Sequence, residues 1–446
     1  MLASLVIGGL TGINLGAVLG FSAILLPQLP SHMTLEDKSW IASICNVGQL
    51  FGAFAAGFVS NKVGRKNCLL LFSVPLVCGW LLIILDHENA IYVNIGRVLQ
   101  GFGMMPSIGQ VYLIEILDAH RRESLGSILA ICTSVGITLV YALGTVLHWI
   151  SVSWIFVAII VFQNIWLYCF VPESPQWLMT QGFENEAQFA LKKLQNQDVQ
   201  QEILNLKTAL KTIDDPETAK FQEFLKPEAY KPLLFLIGLW IFQQFSGNYA
   251  VVFYAVDIFE GIEHDKMDEM ESMMKAMKES YIAAITVGCI RIVGSVLGAI
   301  FLQRKISRRL LMTCSAIGMM ISMVSLSVTE YFKSSIPDLT TLILAICSSS
   351  FILFHSIGFN VIPMLLVGEL CPVRLKSWTS GITISLVAIL VFTVVKVFPL
   401  AMATFGASIT YGFFASMCLG GALYSFAFVP ETRGKSVNEL QEMYLD

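Results

Sequence analysis

Two consecutive amides, Gln243 and Gln244, lie inside an apolar run between Ile241-Phe242 and Phe245, followed at once by Ser246, Gly247, Asn248 and Tyr249. A primary amide carries donors and acceptors on one short arm, and in apolar surroundings it needs partners for them. Two uses satisfy that need: a bond to a neighbouring helix, or the wall of a wet cavity whose occupant bears hydroxyls. The polar residues that follow the pair favour the wall. Arg291 is the second such residue, in the run Gly288-Cys289-Ile290-Arg291-Ile292-Val293. A charge deep in an apolar segment faces water or a partner and marks a functional position by default. Near mid-depth no other segment holds an Asp or Glu to pair with it. Arg291 therefore either faces the cavity, as a donor or an attractor of a small anion, or it snorkels toward the acidic stretch Glu260–Glu279.

A third set of charges is arranged as punctuation. Gly64-Arg65-Lys66 follows one apolar run, and Glu115 ends another just before Arg121 and Arg122. Pro172-Glu173-Ser174-Pro175 closes the sixth run, and Pro430-Glu431-Thr432-Arg433-Gly434-Lys435 closes the last. Glu369, Arg374 and Lys376 repeat in the second half what Glu115 and the arginines do in the first. Such charges either mark topology or form a latch, in which Arg65 and Lys66 pair with acids at neighbouring helix ends and the partners are drawn from Glu115, Arg121, Arg122 and Glu173 in one half and Glu369, Arg374 and Glu431 in the other. Exposed pairs of this kind are individually weak, which suits a gate that opens. Recurrence in both halves reads as a duplicated membrane protein, the architecture of secondary transporters that rock two repeats about a central site.

The elements that position these residues are apolar. Hydrophobic residues make up 55% of the 446 and charged residues 13%, about half the soluble average, and the mean hydropathy is +0.70. A spanning helix needs roughly 20 mostly apolar residues, and twelve such runs can be traced. The first six cover residues 2–26, 38–60, 67–85, 90–116, 124–147 and 152–172; the second six cover 231–259, 280–303, 308–330, 341–370, 378–400 and 406–429. The chain divides into a six-helix bundle at 1–179, a helical linker at 180–230, a second six-helix bundle at 231–430 and a short tail at 431–446. Of the 28 Lys and Arg, 20 fall on one side of this layout, five on the other and three (Arg97, Arg291, Lys396) inside segments. Basic loops stay in the cytosol, which places both termini and the linker there. The fold class is an all-α membrane protein with twelve transmembrane helices.

Other classes recede. No nucleophile–base or metal constellation is visible, so no enzyme, metal or cofactor is expected. A net charge of −4 gives no reason to expect nucleic acid; the lipid bilayer is the expected macroscopic partner. The ten cysteines lie within or beside apolar runs without a CxxC pair, which reads as packing. No Asn-x-Ser/Thr sequon occurs. The first run begins at Met1-Leu2 without a charged leader and is long enough to span, the pattern of a retained helix rather than a cleaved signal.

Taken in order, these motifs resemble those of the sugar porters of the major facilitator superfamily, closest in pattern to insect facilitated trehalose and hexose transporters. The signatures are Gly64-Arg65-Lys66; Gly96-Arg97 with Glu115; Pro172-Glu173-Ser174-Pro175; Gln243-Gln244-Phe245-Ser246-Gly247; Pro363, Glu369 and Arg374; and Pro430-Glu431-Thr432-Arg433-Gly434. The resemblance implies the major facilitator fold in two six-helix bundles. It also implies facilitated uniport of a sugar such as trehalose or a hexose across the plasma membrane by alternating access. Gln243 and Gln244 would bind the sugar, with Asn248, Tyr249 and Arg291 as further contacts. Members carry a cytosolic tail before the first segment, so its absence here reads as a trimmed or short form. The chain departs from the pattern where Tyr249, Met364, Val387, Ala388 and Ala130 occupy positions that usually hold sugar ligands, and at Asn61 and Gln176 in the charged motifs. Two alternatives follow from these departures: a carrier of another polar solute such as an organic anion, or a sugar sensor that does not transport.

Overall fold

A computed structural model describes residues 2–30, 32–86, 89–104, 106–116, 127–194, 199–200, 203–204, 206–207, 227–256, 258, 270–304, 306–333, 337–370 and 376–430. Lipid offers no hydrogen bonds to the backbone, so a spanning segment must satisfy its own N–H and C=O groups as helix. Among the described residues the regular structure is helical throughout. The first half contains α1 (Leu2–Leu25), the near-collinear α2 (Leu35–Ser43) and α3 (Cys45–Val63), α4 (Arg65–Leu85), α5 (Ala90–Gly103) and α6 (Pro106–Ile116), α7 (Ile128–Gly144) and α8 (Trp149–Phe170). Two short helices, α9 (Pro175–Thr180) and α10 (Glu184–Leu194), open the linker. The second half contains α11 (Pro227–Gln244), α12 (Asn248–Phe253), α13 (Met270–Gln303), α14 (Arg308–Tyr331), α15 (Pro337–Phe354), α16 (Ile362–Leu370), α17 (Lys376–Phe405) and α18 (Ala407–Phe428).

Nine spans among the described residues are long and apolar enough to cross a membrane. The shorter α7 and the interrupted pairs α5–α6 and α11–α12 complete the expected twelve. Several boundaries differ from the sequence expectation. The helix expected to start at 280 starts at Met270, because the Met, Lys and Glu of that stretch are good helix formers outside lipid as well as in it. The seventh segment, expected as one run over 231–259, stops at Gln244 and restarts at Asn248. Gly247 there has φ 92°, and a Cβ on it would strike the Phe414 ring; glycine alone meets both demands. The tenth segment is interrupted by a π-helical turn at His355–Phe359. Such turns occur mostly at functional positions.

Helices pack in the membrane through small residues rather than through exclusion from water. Gly12, Gly16 and Gly20 recur every fourth position on α1 and face α7 (Leu129–Ile137), and Gly136 of α7 faces Ile13 in return. A Cβ at Gly16 would fall on the Thr133 carbonyl oxygen, so the two backbones touch. Gly101 of α5 approaches Cys45 of α3 in the same manner, and Gly103 approaches Leu76 of α4. Large aromatics fill the remaining interior: Phe21, Trp80 and Phe156 are buried together, with Phe21 edge-on to Trp80 at 4.6 Å and Trp80 stacked on Phe156 at 5.8 Å.

The halves meet along α7 and α13, α3 and α17, and α1 and α12. Polar contacts across this seam are legible. Ser134 and Ser295 hydroxyls lie 2.9 Å apart, the Tyr141 hydroxyl donates to the Val252 carbonyl at 2.6 Å, and Gln28 Nε2 donates to the Tyr281 hydroxyl at 3.0 Å. Lys396 of α17 donates to Ser39 Oγ of α2 at 2.8 Å. Apart from the Ser134–Ser295 pair, these contacts lie in the half of the molecule away from the basic loops.

Candidate functional site

The seventh segment breaks between α11 and α12, and its polar residues gather at the break. Gln243 and Gln244 end α11 and are both buried. Gln243 Nε2 donates to the Phe359 carbonyl, the last residue of the π turn, and Gln244 Nε2 donates to Gln243 Oε1 at 3.0 Å. The Ser246 hydroxyl donates to the Gln243 carbonyl at 2.6 Å, closing the turn locally. The Gln244 carbonyl oxygen is buried without a partner. Such a group costs free energy until something donates to it. A hydroxyl would do so.

Asn248 starts α12, and its carbonyl oxygen accepts from Arg291 Nη1 at 3.0 Å. Arg291 lies midway along the spanning part of α13 and is 5% exposed. It does not snorkel toward the acidic stretch. Tyr141 and Tyr249 are the phenols in its electrostatic range, and the His355 imidazole of the π turn is a third group there. His355 is itself buried, with Nδ1 unpartnered. Sequence reasoning missed His355. A lone His eight residues before Pro363 in an apolar run was the available signal, but the π turn that aims it inward is not a local pattern.

A second polar group sits in the first half. Asn14 of α1 donates to Gln163 Oε1 of α8 at 2.5 Å, and Gln163 donates to Thr11 Oγ1 at 3.0 Å. Asn164 donates to the Ser73 hydroxyl at 2.7 Å. These residues line a cavity of about 40 Å³, and the Asn14 carbonyl oxygen is buried without a partner. Arg97 of α5 is fully buried nearby, and neutral acceptors surround it: the Ile41 and Val18 carbonyls, Gln100 Oε1, the Ser22 hydroxyl and Cys45 Sγ.

At the basic end the charged punctuation of the first half converges. Arg65 forks onto Glu115, with Nε 3.1 Å from both carboxylate oxygens and Nη2 3.0 Å from Oε1. Ser174 also donates to Glu115. Glu173 is bound by backbone: the N–H groups of Arg65 and Lys66 donate to it at 2.8 and 3.0 Å, and its own neighbour Ser174 at 2.9 Å. A carboxylate there answers both the unpaired amides and the positive end of α4. Lys66 Nζ instead reaches the Tyr168 carbonyl at 3.0 Å. All these partners belong to the first half. Of the expected counterparts, Arg122, Arg374 and Glu431 lie outside the described residues, as does the side chain of Glu369.

Comparison with known proteins places this geometry. The family model described as "Sugar (and other) transporter" matches residues 12–444. The chain is 28% identical over 458 residues to the sugar transporter ERD6-like 6 of Arabidopsis thaliana, covering 100% of this chain and 90% of that protein. It is 30% identical to the facilitated trehalose transporter Tret1 of Culex quinquefasciatus, covering 96% and 84%. Against Tret1 of Drosophila yakuba it is 29% identical, covering 99% of this chain but 50% of that protein. Among solved structures, the xylose transporter XylE from E. coli in an inward-open conformation superposes with a TM-score of 0.79 at 20% identity, over 99% of each chain. A second structure of that symporter, bound to 6-bromo-6-deoxy-D-glucose, gives 0.78 at 21% identity. The fold is therefore the major facilitator fold.

Proposed function

This chain belongs to the sugar transporter family of the major facilitator superfamily, and we propose that it carries a sugar across the plasma membrane by facilitated alternating access. The observation that carries this reading is the buried amide pair with an unsatisfied Gln244 carbonyl, set at the broken seventh segment against the π turn of the tenth. Helix breaks at mid-membrane are tolerated where they are buried in protein or line a water-filled cavity, and the orphaned Gln244 side-chain oxygen, which calls for a hydroxyl donor, favours the cavity. Gln243, Gln244 and Asn248 are the substrate-binding residues on this reading, with Tyr249 beside them.

Sidedness follows from the basic loops. With those loops and both termini in the cytosol, the end sealed by Lys396–Ser39, Gln28–Tyr281 and Tyr141–Val252 is the outer one. On this reading these contacts close the outer end. The carboxylate network of Arg65, Glu115, Ser174 and Glu173 holds the cytosolic ends of the first half as one body, and Arg122, Glu369, Arg374 and Glu431 complete the gate from the remaining loops. The bundles at 1–179 and 231–430 rock as units about the linker at 180–230.

Uptake of radiolabelled hexoses and trehalose into cells lacking endogenous carriers tests this directly. Saturable uptake that unlabelled substrate competes away is expected. Normal surface expression with uptake no faster than in empty cells, for every sugar in the panel, overturns the reading in favour of a sensor.

A further inference from the structure

The two buried arginines of this protein are provided for very differently. Arg97 spreads its guanidinium over five acceptors from three helices and one neighbouring turn of its own. Arg291 is just as deeply placed, yet it shows a single hydrogen bond, from Nη1 to Asn248 Oδ1, and its Nε is buried without a partner. A guanidinium cannot discharge by losing a proton. At mid-membrane it needs hydrogen-bond acceptors or a counter-charge. Among the described residues it forms no ion pair, and its helix α13 packs on the π turn, where Gly294 lies against Ser356 beside His355.

His355 deepens the imbalance. Its Nδ1 is also buried without a partner, and with the proton on that nitrogen it is a second donor in want of an acceptor. The π turn is what brings it there: Gln243 binds the Phe359 end of the turn while His355 begins it. One wall of the site therefore holds a permanent cation with donor capacity unspent and an imidazole with Nδ1 unspent. The adjacent Gln244 carbonyl has acceptor capacity unspent. A neutral sugar, whose hydroxyls are dipoles, matches the amide but leaves the charge uncompensated. A carboxylate matches the guanidinium in charge and in planar fork geometry.

We propose that Arg291 and His355 form an anion subsite beside the amide pair, and that the preferred substrate is a polyhydroxylated monoanion, a sugar acid of the hexuronate type. Its carboxylate takes the Arg291 Nε–H and the His355 N–H, while its hydroxyls take Gln243 and Gln244. This deepens the transport reading above and rests on it. A free inorganic anion sharing the site with a neutral sugar would supply the same charge, and the experiment separates the two.

The test is uptake of radiolabelled glucuronate and glucose by the full chain in proteoliposomes, in chloride and in methanesulfonate buffers. Glucuronate should be preferred, and Arg291→Asn should lower the glucuronate-to-glucose uptake ratio by at least about tenfold, the scale on which a site rejects a ligand that leaves its buried groups unpaired. Arg291→Lys, which keeps the charge and loses the fork, should lower the ratio less. His355→Gln should lower it without reversing it, and stands in if the Arg291 variants fail to fold. Wild-type protein that moves glucose and not glucuronate, or a ratio unmoved by all three variants, overturns the subsite and leaves sugar transport standing. Glucose uptake that requires chloride overturns the substrate carboxylate in favour of a free anion. A folded wild-type protein that moves neither sugar overturns the transport reading itself.

Discussion

Lys396, on the eleventh membrane segment, holds its ammonium 4.1 Å from the centre of the Trp40 ring at the start of the second. The same nitrogen donates to Ser39 Oγ at 2.8 Å and lies 3.5 Å from the Glu36 carbonyl. One cation thus joins the two halves of the protein at the end opposite the basic loops. A carrier that alternates must break this contact in each cycle, so its strength sets part of the balance between the two facing states.

Trp40→Leu should shift that balance outward. A partly exposed cation–π contact is worth about 0.5–1 kcal/mol, so the population open at the Lys396 end should rise roughly two- to fivefold. Electron–electron resonance distances between spin labels at Leu35 and Leu400, both exposed, would read this as growth of a longer component. An unchanged distance distribution would assign the contact to packing alone.

The amide pair should divide in its effects. Gln244→Ala removes an unsatisfied acceptor poised for substrate and should raise KM by the equivalent of about 1–3 kcal/mol. Gln243→Ala also strips the donor from the Phe359 carbonyl, so it should lower thermal stability as well as affinity. Uptake kinetics beside a thermal melt of the purified protein would separate the two. Wild-type KM in Gln244→Ala would place the substrate elsewhere.

Glu173 acts as a helix cap and Glu115 as a counter-ion, and neutralising them should differ accordingly. Glu173→Gln keeps an acceptor but loses the charge facing the start of α4, a loss of about 0.3–1 kcal/mol. It should appear as a small drop in Tm. Glu115→Gln leaves the Arg65 guanidinium, which is mostly buried, without its anion. It should change kcat more than KM, because the site lies at mid-membrane, away from the segment ends where Glu115 sits. Equal and large KM effects from both would contradict a role in the gate.

Substrate movement should not be driven by protons. The first segment holds Asn14 and no Asp or Glu, and Arg97 is satisfied by neutral acceptors alone. Proton relays in membrane segments run through Asp, Glu or His, and the first segment offers none of the three. An internal neutral sugar such as glucose should therefore rise only to the external concentration and ignore an uncoupler. Accumulation that collapses with the proton gradient would refute this.

What the sequence determined by itself is set by sums over local residues. Apolar runs of spanning length and the clustering of 20 Lys and Arg between them read out directly, because lipid imposes helix on every such run. The amide pair and Arg291 were legible for the same reason, since polar groups are conspicuous in apolar text. What the tertiary structure decided is which of these groups meet. That Glu173 binds backbone amides while Glu115 takes Arg65, that Lys396 reaches across to Trp40, and that α13 packs on the π turn holding His355 all depend on helix contacts between residues far apart in sequence. The contrast between Arg97 and Arg291 is the clearest case. Each is a lone cation in an apolar helix, identical by hydropathy, and only the acceptors brought in by neighbouring helices make one complete and leave the other unfinished.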